Sequence, residues 1–246
     1  MTYVFMDLEA VPEKNQMISF GATYEDKTFY SLSKTDNLED LTIQIEQLTK
    51  ITQKDLEMAP SVNEVIENFI NWLPSEYKIL VYGNYDREIM RSNLVRSGND
   101  KVRDILQNMI DVSKIITKVT FGTKKVMGLL KVAQTLNIAD SQNHNALDDA
   151  ILLKKVFVFY QKKSEQELIR SYFTGRYNDL KHQYNSGVNN TFSNVFKKNP
   201  ECSMEEFSVQ SRIIFYELST LTDIIRIFKN DFTIKIRKLV EETFNV

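Results

Sequence analysis

The sequence predicts an α/β domain, a mixed β-sheet flanked by helices, followed by an all-helical C-terminal extension. Three observations carry this expectation. Three short β-rich runs follow one another at the N-terminus, strand-like and helical segments then alternate, and after residue 163 only helical periodicity remains. The expected domains are therefore residues 1–163 and 164–246.

Thr2 to Leu8 alternates and is rich in Tyr, Val and Phe, which suits a strand. Met17 to Tyr24 and Lys27 to Leu32 read as two more, parted by a turn at Glu25-Asp26, so an antiparallel meander is expected. Apolar residues recur at helical spacing from Leu38 to Leu48. Ser61 and Glu64 have the spacing of a capping box, opening a helix through Leu73 that Pro74 closes. Lys78 to Tyr82 is a short strand bounded by Gly83, leading into a helix from Asp86 to Val95. A helix over Val102–Met109, a strand over Met109–Val112, an amphipathic stretch over Val126–Leu136 and a long helix from His144 to about Lys163 complete the domain. In the extension, helices are expected from Glu165 to Tyr184, from Ser203 to Phe228 behind a second capping box, and, after a break at Asn230-Asp231, in a last stretch to Phe244.

The 246 residues, 42% hydrophobic and 26% charged, are enough to bury a sizeable core. No run of about 18 apolar residues occurs and no basic-then-apolar leader is seen, which predicts a cytoplasmic protein without a membrane span. The single cysteine, Cys202, excludes an internal disulfide and makes a poor zinc ligand. A net charge of −2 gives no overall attraction to nucleic acid. Lys114, Lys118, Lys124, Lys125 and Lys131, however, lie in a stretch without acids, which reads either as a solvated helical face or as a hold on a phosphate backbone.

The residues that point to chemistry are Asp7 and Glu9 in YVFMDLEA, Asp86 in VYGNYDREIM, and His144 and Asp149 in HNALDDA. On a strand with a side-chain period of two, Asp7 and Glu9 share a face and Leu8 points to the other layer. Paired carboxylates repel unless a proton or cation neutralises them, and hard divalent cations take oxygen ligands of this kind. The set therefore reads as a metal-dependent phosphoryl-transfer site. Asp86 follows Gly83-Asn84 at a strand-to-helix turn and, taken alone, also fits a helix cap. His144 can accept a proton from water near neutral pH or simply cap a helix. Asp148 and Asp149 differ by about 100° around a helix, so only one of them can join the cluster.

In this order the five positions resemble the DEDDh family of 3′-to-5′ exonucleases, whose pattern is D-x-E, then D, then H followed five residues later by D. The resemblance covers about residues 1–160 and extends to LTKITQKDLEMAP, VYGNYDREIM and FGTKKVMGLLKVAQTLNI. It is nearest in motif form to the branch containing sporulation-pathway and histone-mRNA 3′ exonucleases. Lys50 replaces a usual glycine, Ser19 stands where glutamate is frequent, and Tyr82 replaces a usual tryptophan.

The resemblance implies an RNase H-like sheet and two ions, Mg²⁺ or Mn²⁺. One would be held by Asp7, Glu9 and Asp149, and the second by Asp7 and Asp86. His144 would be the general base, the substrate a single-stranded nucleic acid 3′ end, RNA or DNA, and the product a nucleoside 5′-monophosphate. Leu8, Ala10 and Tyr85 would contact the terminal nucleotide, although Tyr85 also fits a packed ring. Two other functions fit the same fold: a DNA proofreading or repair exonuclease subunit, and a non-catalytic nucleic-acid-binding module. The C-terminal helices offer surface for a homodimer or a protein partner, and Arg170, Tyr172, Phe173, Arg176, Tyr177, Lys181, His182 and Tyr184 interleave basic and aromatic groups suited to a single strand.

Overall fold

The computed structural model describes residues 1–97, 101–123, 125–164, 167, 168, 171 and 175. Strands β1 (Thr2–Val11), β2 (Gln16–Tyr24) and β3 (Lys27–Leu32) form the expected antiparallel meander, turning at Asn15 and Glu25, both with positive φ. β1 runs three residues beyond the stretch expected from alternation, so Glu9 lies within the strand. Its pairing with β2 carries a register shift at Glu9/Ala10.

A 3₁₀ turn (Leu38–Asp40) and helix α1 (Ile43–Thr49) replace the single helix expected there. Leu41 is extended and buried against Val11, Ile18, Ile51 and Leu56, and Thr42 restarts the helix by accepting a hydrogen bond from the Ile45 N–H. Lys50 ends α1 in the left-handed region at φ 63°, which explains why glycine suits that position. Helix α2 (Gln53–Glu57), which the sequence reading did not single out, is opened by a Thr52–Asp55 capping box. Helix α3 (Val62–Trp72) has the expected Ser61–Glu64 box.

β4 (Tyr77–Val81) leads to α4 (Tyr85–Ser97), α5 (Lys101–Asn108) and β5 (Met109–Asp111). Helices α6 (Ser113–Phe121), α7 (Leu129–Thr135) and α8 (Ala146–Gln161) follow. α6 lies in the lysine-bearing stretch for which a solvated helical face is one of the two readings, although SKIITKVTF is rich in β-branched residues. Burial of Ile115, Ile116 and Val119 outweighs that weak preference.

The sheet order is β3-β2-β1-β4-β5, with β4 parallel to both of its neighbours, so the sheet is mixed as expected. Val4, Met6 and Leu8 of β1 face a core with Val65, Ile66 and Phe69 of α3 and Ile89 and Met90 of α4. Tyr3 and Phe5 face the other way, meeting Phe157 of α8 edge-on at ring separations of 5.3 and 5.4 Å. The result is helix, sheet and helix in three layers.

Met1–Ile116 and Met127–Tyr160 form one compact unit that holds the sheet, while Thr117–Val126 and the described residues after Tyr160 fall into a second. In the second unit Ser164 and Glu167 cap each other: Ser164 donates to the carboxylate through its N–H and its hydroxyl, both at 2.9 Å. The rest of the expected helical extension, with its capping box at Ser203, its basic-aromatic set and its apolar surface for a homodimer, lies outside the described residues. Among the described residues no helix is long and apolar enough to cross a membrane.

One buried polar residue joins the layers. Asn93 of α4 is fully buried, accepts from the Met17 N–H at 3.3 Å and donates to the Asn15 carbonyl at 2.9 Å and to the Ile89 carbonyl at 2.7 Å. Removing it leaves the buried Met17 N–H and the partly buried Asn15 carbonyl without this partner. Asn93→Ala is expected to cost about 2–3 kcal/mol, read as a lower denaturation midpoint at unchanged slope.

Candidate active site

The site lies where β1 outruns its parallel neighbour. Pairing of β1 with β4 ends at Phe5↔Leu80, which leaves the last residues of β1 without a strand on that side. Asp86, in the first turn of α4, fills part of the gap, its Oδ1 accepting from the Leu8 N–H at 3.1 Å. Gly83, at φ 115°, makes the turn that brings α4 there.

Asp111 at the end of β5 fixes that turn: its Oδ1 accepts from the Gly83 and Ser113 N–H groups, each at 2.9 Å. Tyr82, next to the turn, donates its hydroxyl to the Met127 carbonyl at 2.7 Å.

Asp7 and Glu9 lie on the α8 side of the sheet, opposite Gly21 and Ser19 of β2. Gly21 explains how α8 comes so close. A Cβ there would lie 2.1 Å from the Ala146 carbonyl carbon and the Leu147 nitrogen, so only glycine lets the helix start rest on the strand. Ser19 is fully buried, and its hydroxyl has no hydrogen-bond partner.

The helix begins at Ala146 rather than at His144, because Asn145 is its cap: Oδ1 accepts from the Leu147 and Asp148 N–H groups at 3.1 and 3.3 Å. His144 stands just outside, in a left-handed conformation with φ 49°. Glu9, His144 and Asp149 each bring one ligand atom to within 4.8 Å of the others. Asp149 is buried and its Oδ2 accepts from Gln142 Nε2 at 2.7 Å, whereas Asp148 is exposed and accepts from Asn143. Only one of the adjacent acids joins the cluster, as helical geometry requires.

Asp7 and Asp86 join this group electrostatically. Burial, then the charges of Asp86, Asp149 and Glu9, hold the Asp7 carboxyl well above the usual range. Glu9 is pushed up to about 8 by burial and by Asp149 and Asp86. Asp86 is raised to about 7, chiefly by burial, with its backbone hydrogen bonds opposing and Asp111 and Asp149 adding to the shift. Asp149 is raised by burial, with the Gln142 hydrogen bond and His144 opposing.

Four acids whose carboxyls are all raised, first of all by burial, form a site for positive charge. Among the described residues no lysine or arginine forms an ion pair with them. The donor set, carboxylate oxygens with one imidazole, suits a hard divalent cation.

Of the positions expected to touch substrate, Leu8 has its side chain in the core and offers only backbone, Ala10 is half-buried and Tyr85 is 43% exposed at the start of α4. Gly21, Asp111, Gln142 and Asn145 escaped the sequence reading. A glycine inside a strand marks a close approach, and an Asn before an apolar run marks a helix cap, so Gly21 and Asn145 carried a signal. Asp111 and Gln142 act through the tertiary fold and carried none.

The exonuclease family model of RNase T type matches residues 4–157. The PolC-type DNA polymerase III of Clostridium perfringens (strain 13 / Type A) is 24% identical over 172 residues, 68% of this chain, which spans only 12% of that protein. Among solved structures, the nuclease domain of 3′hExo, a DEDDh family member bound to rAMP, superposes with a TM-score of 0.58 at 20% identity over 64% of this chain and 90% of that one. The zinc-bound complex of E. coli ExoI with ssDNA gives 0.53 at 14% identity, over 68% of this chain and 42% of that one. At these identities the likeness is one of fold.

Raised carboxyl pKa values have a consequence for stability. An acid near 4 when unfolded and near 7 or 8 when folded takes up protons on folding between those limits, so the folded state loses stability as pH rises through them. In chelator the melting temperature is expected to fall steadily from pH 5 to pH 8, and a divalent cation to restore it more at pH 8 than at pH 5. Asp7→Asn is expected to raise the metal-free melting temperature at pH 8.

Proposed function

We propose, from the premise that this chain belongs to the RNase T-type exonuclease family with the DEDDh pattern on an RNase H-like fold, that it removes nucleotides from the 3′ end of a single-stranded nucleic acid. The observation that carries this reading is the meeting of Glu9, His144 and Asp149, with Asp86 and Asp149 close enough to raise the Asp7 carboxyl and Asp149 close enough to raise that of Asp86. Asp7, Glu9, Asp86 and Asp149 would hold two divalent ions, Mg²⁺ or Mn²⁺. When bound, such a pair supplies an activated water and stabilises the departing 3′ oxygen.

The chain's own residues do the rest. His144, held outside α8, takes the proton from the attacking water, and Gln142 orients Asp149. Backbone of Leu8 and Ala10 and the exposed ring of Tyr85 line the place of the terminal nucleotide. Stacking on such a ring is worth about 1–3 kcal/mol per base and needs no particular sequence. The product is a nucleoside 5′-monophosphate.

The choice of polymer has two supports that differ. The structural neighbour 3′hExo carries rAMP, while the PolC-type relative is a DNA polymerase and the ExoI structure holds ssDNA. Matched 5′-labelled ribo- and deoxy-oligomers, digested with Mn²⁺ and with chelator, decide between them. A ladder shortening from the 3′ end with release of 5′-monophosphates is expected for at least one. The reading fails if neither oligomer is shortened with metal, or if shortening persists in chelator. Asp7→Ala is expected to abolish turnover with the fold intact, and His144→Ala to lower the rate by about 10² to 10⁴ with metal-induced stabilisation largely kept.

A further inference from the structure

Tyr30 stands on β3, the outer strand of the sheet, 43% exposed. It pairs with Gly21, which pairs in turn with Asp7, so a row across three strands runs from Tyr30 to the acids. The Ala146 backbone rests on Gly21, which puts the start of α8 over the middle of that row.

Asn145 spans from there to Tyr30. Its Oδ1 is committed to the helix, accepting from Leu147 and Asp148, while its Nδ2 donates to the Tyr30 hydroxyl at 3.5 Å. Residues 141–145 have no helix or strand of their own, so side-chain contacts fix where this segment lies. His144 is the residue next to Asn145, left-handed, with its ring at Glu9 and Asp149.

We propose that Tyr30 is a positioning residue which, through Asn145, latches the turn that carries His144 to the outer strand and so holds the imidazole against Glu9 and Asp149. This rests on the reading of His144 as the general base. An error of about 1 Å in a proton acceptor costs rate without altering how substrate is held, so the latch acts on kcat. Nothing in the latch needs the metal, and it exists in the metal-free protein.

The test uses the full chain with Mn²⁺ and a 5′-labelled single-stranded oligomer. Tyr30→Phe keeps the ring and loses the hydroxyl. Asn145→Ser keeps an oxygen to cap α8 but is too short to reach β3. Each is expected to lower kcat by about 3- to 10-fold with KM within about twofold, and the double variant to be no worse than either single one, because both remove the same link.

A second readout needs no metal. The chain has 2 histidines, so His182→Gln identifies the His144 imidazole signals in ¹H–¹⁵N spectra, and Tyr30→Phe in that background is expected to shift or broaden them. A kcat equal to that of the parent with unchanged imidazole signals overturns the latch. So does a raised KM at unchanged kcat, which would make Tyr30 a substrate contact, and so do losses that multiply in the double variant. Should the parent protein show no turnover on any oligomer, the functional reading fails separately, and the imidazole signals alone decide the latch.

Discussion

Mutual repulsion among Asp7, Glu9, Asp86 and Asp149 is the constraint around which this domain is arranged. Each is raised by burial and by at least one other acid, and among the described residues no lysine or arginine forms an ion pair with them. Like charges brought together away from water tend to push a fold apart, so the supporting structure must be stronger than the push. It is: the three layers share cores built from Val4, Met6, Phe20, Phe69 and Ile79 on one face of the sheet and from Phe157 packed on Tyr3 and Phe5 on the other. The fold, together with the Leu8 N–H on Asp86 and Gln142 on Asp149, therefore holds the acids side by side, as a site for a cation requires.

The means of bringing them together is a difference in length between neighbouring strands. β1 continues past the end of β4, and the backbone N–H that β4 would have engaged goes to Asp86 instead. A carboxylate is thereby tied to the main chain between Asp7 and Glu9. On the opposite side of β1, Gly21 removes the side chain that would hold α8 off the sheet. One glycine and one unpaired strand edge thus set the width of the site from both sides.

The sequence made much of this legible. Period-two alternation put Asp7 and Glu9 on one face, the Ser61–Glu64 capping box placed α3, and Gly83-Asn84 marked the turn that delivers Asp86. What stayed open or hidden has physical reasons. α6 is a helix against its β-branched composition, because burial decides where propensity is weak. The break at Leu41 follows from a pocket formed by Ile18, Ile51 and Leu56, residues distant along the chain. Asn93, Asp111 and Gln142 are ordinary polar residues in the sequence, and their roles appear only when distant backbone groups present donors and acceptors to them.

The spacing of His144 and Asp149 shows how a sequence pattern can be right while the obvious geometry for it is wrong. Residues five apart on one helix point about 140° away from each other, so a helix running through both would separate them. The chain avoids this by starting α8 after Asn145 and giving His144 a left-handed backbone, which frees it from the helical register. A left-handed residue with a side chain costs about 1 kcal/mol, and the Asn145 cap offsets a similar amount by satisfying the first free N–H groups of the helix. The five-residue interval is therefore a measure of one helical turn plus one residue outside it. A substitution that lengthened α8 backward through Asn145 would turn the imidazole away from Asp149 without changing a single residue of the acid cluster.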